Sequence, residues 1–423
     1  MSTSDKLAII GIMVAIVGIL AAIITVYLPH RSNKKKEKGI NKSKVENAEN
    51  IQKFNPSDAL EIYKDVLNSV SPQNDPPLYA QIKDNEGICY WKLSLVNNKE
   101  DNLRNSLISY EASLKIRTRE KYPKEYALTQ NNLGVAYRDL SQVRDKEDNL
   151  NLAITAFVEA LKIRTVDKFP ADYAQTKNDL GVAYRSLSKV RDKEDNLNLA
   201  IMAYEEALKI RTVDKFPADY AQTKNELGVA YRNLSKVRDK EDNLNLAIMA
   251  YKEALKIRTV EKFPVDYAQT KHNLGAAYRN LSKVRDKEDN LNLAIMAYEE
   301  ALKIRTIKEF PVRYATSQNN LGVTYRNLSN VRDKEGNLKL AITSYEEALK
   351  IRTIKEFPIY YAQTQNNLGT AYRNLSKVRD KEGNLKLAIT AYEEALKIYR
   401  QPDYPDLYER VTINLNNAKK MLK

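Results

Sequence analysis

One cysteine, one tryptophan and two histidines in 423 residues exclude several kinds of chemistry at once. Cys89 cannot close a disulfide within the chain or build a cysteine-rich metal centre, which fits a reducing compartment. His30 and His272 lie far apart, and no His-x-x-x-His pair occurs, so a helical zinc site of that type is absent. The 12 glycines never gather into a phosphate-cradling loop, and no nucleophile-elbow motif is present. No cofactor is implied.

One apolar run stands out. Leu7 to Leu28 carries no charge over 22 residues. At 1.5 Å per residue a helix of that length spans roughly 33 Å, enough for a hydrocarbon core of about 30 Å. The run is longer than a signal-peptide core and continues to Pro29, so it reads as a retained anchor. Arg31, Lys34, Lys35, Lys36 and Lys38 follow it, against Lys6 before it, which places the bulk of the chain on the cytoplasmic side of the cell membrane. Residues 29–44 read as a basic linker, either a solvated topogenic segment or a contact for anionic lipid. Residues 45–77 read as a degenerate helix pair broken at Asn55-Pro56-Ser57, with Ser57 or Asp58 as cap.

The rest of the chain is periodic. Ala171–Pro217 and Ala218–Pro264 differ at four positions: Asp179/Glu226, Ser186/Asn233, Glu205/Lys252 and Asp214/Glu261. Gly87, Gly134, Gly181, Gly228, Gly275, Gly322 and Gly369 recur every 47 residues. A fixed period of this length marks stacked repeats, which bury a shared core between neighbours. Residues 78–402 hold seven such repeats, and residues 403–423 a capping helix whose Asn416 and Lys419 make the outer face polar. Of the +14 net charge, part sits in the basic linker; Ala171–Pro217 balances eight basic against eight acidic residues. The charge is therefore a weak argument for nucleic acid.

Each repeat reads as two helices. The first opens beside a proline, such as Pro170 or Pro217, which suits the first helical turn. Its apolar face holds Tyr173, Leu180, Ala183, Tyr184 and Leu187. A charged loop, Arg191–Asn196, follows, with Asp195 or Asn196 as cap. The second helix carries Leu197, Ala200, Ile201, Tyr204, Ala207 and Leu208 on one stripe. The related loop at Asp380–Asn384 resembles a calcium loop in composition. Lys381 intrudes there, however, and Ala391 stands where the closing Glu would fall, so a capped charged turn is expected and no metal.

Leu180-Gly181-x-x-Tyr184 followed by Ala200-x-x-x-Tyr204-x-x-Ala207 resembles the tetratricopeptide repeat. The period of 47 exceeds that family's 34, and both turns are lengthened, as in its kinesin-light-chain-like branch. The resemblance implies an all-α, right-handed superhelical solenoid of antiparallel helix pairs, preceded here by one membrane helix. It also implies a groove that binds a peptide or a partner helix. On a helical wheel the polar face of the first helices would line that groove. An amide row results at Asn131, Asn178, Asn225, Asn319 and Asn366, with His272 in register. An arginine row results at Arg138, Arg185, Arg232, Arg279, Arg326 and Arg373. Amides suit backbone groups and guanidinium forks suit carboxylates, so an acidic or C-terminal peptide is the expected ligand. The alternative is a solvated face copied by duplication.

The function expected is a membrane-anchored scaffold for protein partners and not an enzyme, since near-identical repeats offer no unique catalytic constellation. Rival readings are a regulatory subunit of a separate protease or signalling enzyme and, less favoured, a nucleic-acid-binding solenoid. Oligomeric state is left open by the sequence.

Overall fold

The computed structural model describes residues 28–423. The expected membrane span lies outside them but for Leu28. Among the described residues no helix is long and apolar enough to cross a membrane, and all seventeen regular elements are α-helices. Contacts divide the chain between Asp179 and Leu180 into two compact parts.

In the N-terminal part the helices run Leu28–Ile51, Pro56–Leu67, Pro76–Ser94, Lys99–Leu114, Pro123–Leu140 and Lys146–Leu161, and Pro170–Leu187 begins there. The basic stretch 29–44 is helical, and its helix continues through the start of the expected helix pair. Lysine is a good helix former, and the segment is proline-free from His30 to Asn55. Val45 and Ala48 bury against Ala59, Leu60, Tyr63 and Val66, while Lys44 pairs with Asp65 at 2.6 Å. The cap of the next helix is Asn55 and not Ser57 or Asp58: its side chain accepts from both of their amides. Pro56 occupies the first turn, where no amide is needed.

The C-terminal part takes up the rest of Pro170–Leu187 and continues in pairs: Lys193–Leu208 and Pro217–Leu234, Lys240–Ile257 and Pro264–Leu281, Lys287–Ile304 and Pro311–Leu328, Lys334–Leu349 and Pro358–Leu375, then Lys381–Leu396 and Pro405–Leu422. Helices that open on proline are called A helices and those that open on lysine B helices. From Lys193–Leu208 on, consecutive helices pack on one another, and from Pro217–Leu234 on each A helix also touches the next, as Pro217–Leu234 touches Pro264–Leu281.

The apolar stripes meet between these layers. Leu244, Ala247, Ile248, Tyr251, Leu274, Ala277, Leu281, Leu291 and Tyr298 form one continuous core. The B-helix tyrosines 204, 251, 298, 345 and 392 are fully buried. Each ring lies over a glycine of its A helix, and a Cβ on Gly228 would fall 2.6 Å from Tyr251 Cε1. The last helix exposes Asn416 and Lys419, which gives the polar end a stack requires.

The charged loop departs from expectation. The cap position is Asp192 or its equivalent, with a left-handed backbone, three residues before Asp195 and four before Asn196. Asn196 lies inside the first turn and its amide donates to the Arg191 carbonyl at 3.1 Å. Asp tolerates positive φ, and Glu194 and Asp195 then face the positive helix end. Where the sequence turns to Lys-Glu-Gly, the Asp380 carboxylate accepts from Gly383 N at 3.1 Å and caps the helix.

Candidate functional site

The A helix explains why its polar face is not a free surface. Only one stripe of it meets its own B helix, and the neighbouring A helix covers part of the opposite side. The asparagines expected to line a groove are accordingly buried: Asn131, Asn178, Asn225 and Asn319 are at most 6 % exposed. Asn131, Asn225 and Asn319 bond to the following repeat instead. In the N-terminal part Asn131 Oδ1 accepts from Thr176 Oγ1 at 2.8 Å. In the C-terminal part Asn225 Oδ1 accepts from Asn273 Nδ2 at 3.1 Å, and Asn319 Oδ1 accepts from Asn367 Nδ2 at 3.3 Å. Asn366, half-buried, accepts from Asn414 at 3.3 Å. The amide row is a seam between repeats, and a buried amide left unbonded would cost more than the bond gains.

His272 interrupts the row. Nε2 faces Asn320 Nδ2 at 3.3 Å and Nδ1 faces Ser317 Oγ at 3.0 Å, so the network is satisfied with the proton on Nδ1. The Tyr298 ring stands edge-on at 5.3 Å. Burial, then Arg305, Arg232 and Arg279, hold the imidazole well below its usual range. The neutral form therefore belongs to the fold. Below about pH 6.5 the unfolded chain takes up a proton that the folded chain refuses. Stability is fully present above that value and falls by about 1.4 kcal/mol per pH unit beneath it. Urea unfolding at pH 7.5 and 5.5 should show this loss, and His272→Asn, the residue of the other repeats, should remove it.

The arginines are half-buried and fall into distinct groups. Arg138 reaches Asp179 at 3.2 Å and Arg185 reaches Glu226 at 2.7 Å, in both cases a carboxylate 41 residues on. Arg185 Nε also donates to the Tyr204 hydroxyl at 3.3 Å. Beyond Glu226 the same column reads Asn273, Asn320, Asn367 and Asn414. Arg326 and Arg373 find amide oxygens there, at 3.4 and 3.0 Å. Arg232 Nε is buried and unpartnered, as are the hydroxyls of Tyr251, Tyr298 and Tyr345.

A groove of about 490 Å³ opens in the N-terminal part, lined by Trp91, Leu128, Asn131, Val135, Arg138 and Asp179. It brings together two expected site residues, Asn131 and Arg138. Trp91, absent from the sequence-based set, donates from Nε1 to Asp139 at 2.8 Å. Its signal was positional, since Trp91 stands one period before Arg138. Cys89 is fully buried, and that burial pushes its thiol up to about 12, which suits packing and not reactivity.

Family models described as tetratricopeptide repeat match residues 315–354 and 362–402. Comparison with curated proteins finds no match. Among solved structures the chain is similar to a thermophilic tetratricopeptide protein of Thermus thermophilus, at 20% identity over 57% of this chain and 99% of that one, TM-score 0.37. It is also similar to the C-terminal part of a tetratricopeptide repeat-containing protein from Cytophaga hutchinsonii, at 15% identity, 77% and 99% coverage and TM-score 0.44. A Rap protein complexed with competence and sporulation factor gives 15% identity, 91% and 99% coverage and TM-score 0.45.

Proposed function

We propose that this chain, a member of the tetratricopeptide repeat family, is a binding scaffold that holds protein partners at a membrane surface and catalyses nothing itself. The observation that carries the reading is the A-helix row of the C-terminal part, Arg185 to Arg373, in which arginine recurs every repeat: Arg185 pairs with a carboxylate, Arg326 and Arg373 with amide oxygens, and Arg232 and Arg279 between them have neither. Such a row offers many similar contacts along one surface, which suits an extended acidic peptide. The repeats would wind as a right-handed superhelix. The run Leu7–Leu28 supplies the anchor, and the basic segment after it keeps the repeats on the cytoplasmic face.

Two measurements test this. Cross-linking and affinity purification of the full-length chain from membranes should recover a protein partner in fixed ratio, and deletion of residues 7–28 should move both to the soluble fraction. Recovery of nucleic acid in place of protein would overturn the reading. Protease added outside intact cells should leave the repeats uncut; digestion from that side would reverse the topology.

A further inference from the structure

We propose that Arg232 and Arg279 form a two-point receptor for carboxylates of an acidic peptide, a site confined to the repeats 218–264 and 265–311. The inference rests on the scaffold reading and narrows it to two of the repeats.

The chain itself supplies the template. At Arg185 the guanidinium is held from two sides: Nε donates to the Tyr204 hydroxyl and Nη2 to the Glu226 carboxylate. One period on, Arg232 and Tyr251 occupy the same positions, and so do Arg279 and Tyr298 a period later. The carboxylate does not recur, because Asn273 and Asn320 stand where Glu226 stood. Each of those amides donates to the preceding repeat, as Asn367 and Asn414 also do. Asn273 Nδ2 donates to Asn225, and Asn320 Nδ2 donates to His272. Neither offers its oxygen to the arginine, whereas Asn367 and Asn414 do so for Arg326 and Arg373. Arg232 Nε and the hydroxyls of Tyr251 and Tyr298 are left as buried donors without acceptors, and both tyrosines are 0% exposed. No hydrogen bond or ion pair ties the Arg279 guanidinium to another described residue. Arg232 and Arg279 keep part of their surface open to solvent.

Donors of this kind call for an acceptor, and a charged one is favoured where the donors are cationic. An incoming carboxylate beside Arg232 takes the place Glu226 has beside Arg185, with Nε turned to Tyr251. A second one does the same at Arg279 and Tyr298. Neighbouring A helices lie roughly 10 Å apart, and an extended peptide rises about 3.3 Å per residue, so the two acids should be about three residues apart.

The test uses the purified full-length chain in detergent and three fluorescent peptides of one Gly/Ser sequence. They carry Glu-x-x-Glu, Gln-x-x-Gln or phosphoserine at the two acidic positions. The Glu peptide should bind, and the Gln peptide at least tenfold more weakly. Tighter binding of the phosphoserine peptide than the Glu peptide would overturn the carboxylate assignment. Arg232→Gln with Arg279→Gln should lower affinity for the Glu peptide at least tenfold. Asn273→Glu, which rebuilds the Glu226 arrangement at Arg232 within the chain, should weaken the peptide to a similar degree and raise the melting temperature. The rise shows that the variant is folded. Peptide binding unchanged by Asn273→Glu or by the double substitution would overturn the site. No binding of the Glu peptide by the unsubstituted chain would do the same. If the partner recovered from membranes still binds the Asn273→Glu chain, the scaffold reading stands and the site falls. If no protein partner is recovered at all, the scaffold reading itself falls.

Discussion

Gly228→Ala is expected to destabilise its repeat by about 2 kcal/mol, although alanine is the better helix former by about 1 kcal/mol. The new Cβ would lie 2.6 Å from Cε1 and 2.9 Å from Cδ1 of Tyr251, a fully buried ring with no room to withdraw. Overpacking of this kind costs about 1–3 kcal/mol, and here it exceeds the propensity gain. The cause can be isolated by removing the ring. Tyr251→Ala alone should cost about 3–5 kcal/mol. In that background Gly228→Ala should become stabilising by about 1 kcal/mol, so the sign reverses. Gly275 gives a graded control: its nearest contact with Tyr298 is 3.1 Å, and Gly275→Ala should cost less. Urea unfolding of the single and double variants, with hydrogen exchange to localise the loss to the helices Pro217–Leu234 and Lys240–Ile257, decides the matter. An equal cost with and without Tyr251 would mean that the close approach is not the cause.

Thr270→Val should cost about 2 kcal/mol, while Arg258→Met should stay within about 1 kcal/mol of the unsubstituted chain. Arg258 is 7 % exposed, and its Nη1 donates to Thr270 Oγ1 at 3.0 Å. The nearest carboxylate, Asp266, stands 3.9 Å away and is half-exposed, a weak partner for a buried charge. Burial accordingly holds the guanidinium below its usual range. Valine keeps the shape of threonine but strands that charge without its close acceptor. Methionine removes the charge and fills similar space, so nothing is stranded. The same bond recurs at Arg211–Thr223, Arg305–Ser317 and Arg352–Thr364, at 2.9 to 3.0 Å, so each pair is an independent repetition of the experiment. Chemical denaturation curves for the two variants give the comparison; equal losses would show that the arginine contributes net stability.

Features that act within one repeat were readable in the sequence. The 47-residue period, the prolines that open the A helices, the Leu/Ala/Tyr stripes and the glycine under each buried ring all follow from residue type and spacing. Features that act between repeats were not. A helical wheel treats the A helix as solitary, so Asn225 and Asn319 fall on an apparently free side; in the stack the next A helix closes over them. The left-handed backbone at Asp192 was hidden because aspartate is also common in ordinary turns and caps, and only the following Lys193 marks the true helix start. The charge pattern of the arginine row was in plain view. Reading one column down the repeats gives Asp179, Glu226, Asn273, Asn320, Asn367 and Asn414, and the change after Glu226 divides the paired arginines from the rest.

The bonds that join the A helices of adjoining repeats span 41, 45 or 48 residues, and each reaches the next repeat and no further. An in-frame loss or gain of 47 residues therefore keeps every column in register, and each such bond meets the residue that holds the same column in another repeat. Near-identical coding segments recombine readily, so the array's length is open to change in whole steps. Loss of residues 265–311 would remove Arg279 and Tyr298 together and leave Arg232 facing Asn320. Loss of 218–264 would take Glu226 away and release Arg185. The number of unpaired arginines can thus shift between lineages by changes in copy number alone, with no substitution in any repeat.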